Sequence, residues 1–97
     1  MASAKKIIEF VAEQTGVGSD LLSTNAGSRA GARAREVYKA RAVAMTLTRD
    51  ICGYSNNRIG KHFDRDESTV WHAVHRCQSD PGMRQLYSEL LPDALEL

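Results

Sequence analysis

Between residues 33 and 52, Val37, Ala40, Ala44, Leu47 and Ile51 recur at steps of three and four, the spacing of one face of an α-helix. The segment contains neither Pro nor Gly and is followed by Gly53, a common stop signal. A chain of 97 residues and 10.7 kDa has material for one small core. The shorter segments must therefore pack around this helix, and we expect one domain spanning 1–97.

The remaining segments also predict helices. Ser3 is placed to cap a helix over 4–14 carrying Ile7, Ile8 and Val11, ended by Gly16. Ser19 is placed to cap a short turn with Leu21 and Leu22. Residues 23–32 are rich in Ser, Gly, Asn and Ala without periodicity, which predicts a flexible loop. Ser55 caps a helix through Phe63 with Ile59 inward, and Asp66 caps another over 66–78. After Asp80-Pro81-Gly82, the residues Met83, Leu86 and Leu90 predict a last helix closed near Pro92. No strand pattern and no internal repeat occur, so the expected class is all-α.

Composition excludes several functions. Apolar residues make up 42% and charged residues 26%, values of a folded globular chain. No apolar run approaches a membrane span, and the first ten residues lack the long apolar stretch of a secretory signal. We expect a cytoplasmic location and no membrane partner. Cys52 and Cys77 are too few for a disulfide framework and read as buried reduced thiols. With His62, His72 and His75 they are the soft ligands available, but no Cys-x-x-Cys occurs, and we expect neither metal nor cofactor. A nucleophile at Cys52 or Ser68 would need a base and an orienting acid in a cleft that so small a domain rarely encloses. No enzymatic residue is expected.

Net charge is only +1, yet residues 29–76 hold ten Lys/Arg against five Asp/Glu. A basic middle between acidic ends fits one phosphate-facing surface, and equally a solvated face. The two short helices joined by Asp64-Arg65 have the skeleton of a helix-turn-helix, whose second helix enters the DNA major groove. On a wheel of 66–78, Val70, Ala73, Val74 and Cys77 form the core side. Ser68, Thr69, His72, His75 and Arg76 take the opposite side, with Trp71 at its margin. Such side chains can contact base edges or phosphate, although an ordinary polar helix face would look similar.

Beyond this pattern, Arg41-Ala-Val-Ala-Met45, Ser55 with Ile59-Gly60 and Phe63, Arg65-Asp66-Glu-Ser-Thr-Val70 and His72-Ala73 together resemble the C-terminal DNA-binding domain of the bacterial replication initiator DnaA. The likeness covers about 39–76 well, and Ile7-Ile8 through Asp20-Leu21-Leu22 resembles the family's first helix and turn. It implies a Trp-repressor-like helical fold, domain IV of that family, binding a short double-stranded element, the DnaA box. By the same resemblance Arg41 takes the place of an arginine entering the minor groove and Lys39 that of a nearby basic position. Asp66, Ser68 and Thr69 take the places of major-groove readers, and His72 that of a histidine approaching the backbone. With Arg65, Glu67, His75 and Arg76 these complete the expected DNA-binding set.

The departures carry information. Glu67 stands where the signature has histidine, an acidic group that repels phosphate and pairs only with a donor such as cytosine N4. Asp64 replaces a glycine pair, and the loop after Leu22 is thinly basic, with Arg29 as its only charge before Arg33. No Gly-x-x-x-x-Gly-Lys-Ser/Thr phosphate loop occurs, so no ATPase is expected. We expect a free-standing, bacterial or phage-encoded protein that occupies DnaA-box-like sites and regulates or competes in replication initiation, or acts in transcription. The alternative is a protein-interaction module that kept the fold and lost specific DNA binding. Trp71 would then anchor the replication initiator or another protein.

Overall fold

The computed structural model describes residues 2–23 and 34–97. They form six helices and no strand: α1 (Ala4–Thr15), α2 (Ser19–Ser23), α3 (Ala34–Cys52), α4 (Asn56–Phe63), α5 (Glu67–Ser79) and α6 (Pro81–Ala94). The expected loop over 23–32 lies outside the described residues apart from Ser23, which closes α2. None of the described helices is long and apolar enough to cross a membrane.

Helix α3 is the axis of the molecule. The sequence pattern predicts one inward face, but every residue from Arg41 to Thr48 is buried, as are Val37 and Ala40. The reason is that α1, α2, α4, α5 and α6 all pack against it, so it has no solvent side over that stretch. Ala40, Ala42 and Ala44 are small enough to admit neighbouring helices closely. The hydroxyls of Thr46 and Thr48 donate to the carbonyls of Ala42 and Ala44, 2.8 Å each, which lets two polar residues sit in the core. Among the described residues, no buried side-chain nitrogen or oxygen lacks a partner.

The other helices start where their caps place them. The Ser3 hydroxyl accepts from the Lys6 N–H (3.3 Å), Ser55 from Arg58 (3.2 Å) and Asp80 from Met83 (3.0 Å). Pro81 follows at the first position of α6, where its missing N–H costs nothing. Two boundaries differ from expectation. Ser19 is the first residue of α2 rather than its cap, because the Gly18 carbonyl accepts from Leu21 and Leu22. Helix α6 runs through Pro92 to Ala94; Pro92 is exposed, and burial of Leu90 and Ala94 holds the last turn despite the missing N–H. Both cysteines are free; Cys77 is buried as expected, but Cys52 is only half-buried. It ends α3, and its Sγ lies 3.8 Å from the Ala2 carbonyl oxygen.

The turn from α4 to α5 orients the exposed helix. Asp64 caps α4 in the left-handed region at φ 53°, a conformation costly for most side chains and tolerated by Asp. The Arg65 N–H then returns to the Gly60 carbonyl at 2.9 Å. This brings the Arg65 backbone onto Gly60 so closely that a Cβ there would overlap the Arg65 carbonyl oxygen. Glycine is required at that position because backbone cannot yield as a flexible side chain would. Gly60→Ala should therefore destabilise the fold by about 1–3 kcal/mol, read as a lower urea midpoint by circular dichroism. An unchanged midpoint would mean that the turn relaxes freely.

Candidate nucleic-acid interface

Helix α5 turns Val70, Ala73, Val74 and Cys77 into the core, and the opposite side remains open. Glu67, Ser68, Trp71, His72, His75 and Arg76 are exposed, while Thr69 and Arg65 are half-buried. Asp66, Glu67, Ser68, Trp71 and His72 line a shallow depression together with Asn56 at the start of α4. Residues from both helices of the helix-turn-helix thus share one surface.

Asp66 organises its first turn. Its Oδ1 accepts the Thr69 N–H at 2.7 Å and the Ser68 hydroxyl at 2.9 Å. These donors, the Thr69 backbone first, hold the carboxyl below its ordinary range, so Asp66 is an anion at neutral pH. With its proton committed to Asp66, the Ser68 hydroxyl turns lone pairs outward and serves an approaching group as an acceptor. Glu67, the first residue of α5, lies at the positive end of the helix dipole, a structural reason for an acid there.

Trp71 is 47% exposed but tightly supported. Its ring stacks on His75 with centroids 3.7 Å apart and planes 25° from parallel, and meets His72 edge-on at 5.1 Å. His75 Nδ1 lies 2.8 Å from the Trp71 carbonyl oxygen; a carbonyl only accepts, so this nitrogen carries the hydrogen. The sequence placed these residues outward, yet the stack that joins them is a structural finding.

Arg41 lies in the interior, 8% exposed. Its Nε donates to the Leu22 carbonyl at 3.2 Å and one terminal nitrogen to the Leu21 carbonyl at 2.7 Å. Leu21 and Leu22 lie in the short α2, whose terminal carbonyls lack helical partners, and Arg41 thereby ties α2 to α3. Burial first, then the like charge of Arg65, push its pKa down to about 10, with Tyr38 acting in the opposite sense. It remains protonated at neutral pH. Lys39, two residues earlier, faces elsewhere. It lines a groove with Gln14, Thr15, Glu36 and Leu86, and its Nζ lies 3.6 Å from where a Cβ on Gly82 would stand. The structure does not bring Lys39 to the α5 surface.

Sequence reasoning missed Asn56, and it missed a second basic feature on α4. The Arg58 guanidinium sits 3.7 Å above the centre of the Tyr54 ring, and His62 stacks on Tyr54 at 5.7 Å. The four-residue spacing of Tyr54 and Arg58 was visible, but Tyr54 precedes the Ser55 cap, where helical spacing gives no guide. Among the described residues, no group of three His, Cys, Asp or Glu side chains is gathered as a metal site would need.

Comparison with known proteins places this surface in a family. The family model of the bacterial DnaA protein helix-turn-helix matches residues 4–77. The chain is 43% identical over 54 residues to the chromosomal replication initiator protein DnaA of Deinococcus deserti, covering 56% of this chain and 12% of that protein. It is 36% identical over 76 residues to the protein of the same name from Deinococcus radiodurans, covering 78% of this chain and 15% of that one. The chain therefore corresponds to a small fraction of these relatives' length. No solved structure matches it. Since the family match runs from the first residue of α1 to Cys77 in α5, and takes in both helices of the helix-turn-helix and the α3 helix beneath them, the chain belongs to the helix-turn-helix family of the bacterial DnaA protein.

Proposed function

We propose that this domain binds short double-stranded sites of the DnaA-box class in a sequence-specific manner, with the first turns of α5 in the major groove. The carrying observation is the Asp66-centred turn, which presents Ser68, Thr69 and His72 on the open side of α5. Ser68 as an acceptor suits adenine N6 or cytosine N4, and the Thr69 methyl suits a thymine methyl. Glu67, placed beside Asp66, disfavours phosphate and selects a base donor, which would shift the preferred sequence. Arg65, His72, His75 and Arg76 border these readers as phosphate contacts. Lys39 falls outside this surface in the proposal.

Arg41 keeps a place beside the interface by charge. Entering a minor groove would require it to give up two carbonyl bonds to α2, so we assign it first to positioning α2 and to adding positive potential near Arg65. The relatives are named as replication initiators; occupying their sites would make this domain a regulator of, or competitor in, initiation, or of transcription from the same sites. The proposal assigns no catalysis and no nucleotide hydrolysis to these 97 residues.

Fluorescence anisotropy with a DnaA-box duplex and a shuffled duplex at two salt concentrations tests this. Tighter binding to the box, weakening with salt in proportion to the phosphates contacted, is expected. Equal binding to both would remove the proposed site class, and no binding at low salt would remove DNA as the ligand. Thr69→Ala should cost about 1–3 kcal/mol on the preferred site and little on random DNA; equal losses would deny Thr69 a reading role. Arg41→Ala should lower thermal stability and weaken all duplexes alike. A loss concentrated on A·T-rich sites would instead show that Arg41 reads a narrow minor groove.

A further inference from the structure

The indole of Trp71 is costly to leave exposed and is held as though for contact. One face is covered by His75, an edge meets His72, and 47% of the residue is open. The support is self-locking, because His75 is hydrogen-bonded to the backbone of the residue whose ring it carries. A ring fixed in this way loses little rotamer freedom on binding.

What it faces narrows the partner. Trp71 shares its depression with Asn56, Asp66, Glu67, Ser68 and His72. Asp66 and Glu67 make this a poor seat for a phosphate, while the surface around the indole is largely apolar and suits an uncharged, apolar group. Base edges carry no formal charge, and in the major groove the one apolar group they present is the thymine C5-methyl.

We propose that Trp71 is a specificity-determining residue that reads a thymine C5-methyl by apolar contact in the major groove, with His75 as its positioning residue. This rests on the DNA-binding function proposed above and adds a thymine contact separate from the one proposed there for the Thr69 methyl. The contact involves no covalent step, and its strength is set by the burial of one methyl group against the indole.

The test uses the full chain. A preferred duplex is first obtained by random-site selection, and each thymine is then replaced in turn by deoxyuridine, which removes only the methyl. Besides any position read by the Thr69 methyl, which Thr69→Ala identifies by losing its sensitivity, one further position should weaken binding by roughly three- to fivefold, the effect of losing one buried methyl-sized group. The same replacement should leave the affinity of Trp71→Ala unchanged. His75→Ala, which keeps the indole but removes its support, should show a reduced effect at that same position. As the single tryptophan of the chain, Trp71 also reports directly, and its emission should change more on the thymine duplex than on the deoxyuridine one. If no such further position is sensitive in the parent chain, or if Trp71→Ala retains the sensitivity there, the role of Trp71 is overturned while DNA binding stands. If selection enriches no sequence at all, DNA reading itself fails and the assignment of Trp71 fails with it.

Discussion

The structure depends on α3 being buried on all sides. A helix exposed along one flank needs only one apolar stripe, whereas a helix with five neighbours must hide every side chain over its middle turns. Alternating Ala40, Ala42 and Ala44 with Val43, Met45 and Leu47 achieves this, and Thr46 and Thr48 are accommodated by returning their hydroxyls to the helix itself. Because α5 and α6 are the neighbours that share most of α3 with α1, the position of the exposed helix is set by this packing.

The second constraint is local. Gly60 admits the Arg65 backbone, Asp64 takes the left-handed turn and Asp66 begins α5. Three neighbouring features of the chain thus place one helix N-terminus, and the last of them also arranges the first turn of the exposed face of α5. Helix capping and surface chemistry meet in Asp66, so the same carboxylate that starts the helix determines which lone pairs Ser68 presents. Arg41 shows the related economy on α3: the guanidinium that ties down α2 leaves its charge near Arg65.

Much of this was legible in the residues. Ser3, Ser55, Asp66 and Asp80 mark helix starts because their side chains reach backbone N–H groups within one turn. Gly16 marks a helix end because it takes the left-handed conformation at φ 75°. The outward set on α5 follows from helical geometry alone once its core side is known. Family motifs between Arg41 and Ala73 identified the fold class for the same reason, since they record a turn and its supporting helices. Pro92 was misleading, because a propensity rule yields where Leu90 and Ala94 are buried around it.

What the sequence determined by itself was local: which segments are helical, where they begin, which side of α5 is polar, and that a tight turn joins two short helices. These depend on contacts within a few residues, where chain spacing equals spatial spacing. Only the tertiary structure decided that α3 has no free face from Arg41 to Thr48, that Arg41 points to the carbonyls of α2, that Lys39 faces α1 and α6, and that Asn56 joins α5 at one depression. Each depends on groups far apart in the chain, and the two basic residues show why spacing is no guide. Lys39 and Arg41 lie about 200° apart around α3, and what each one meets is settled by which helix packs on its side.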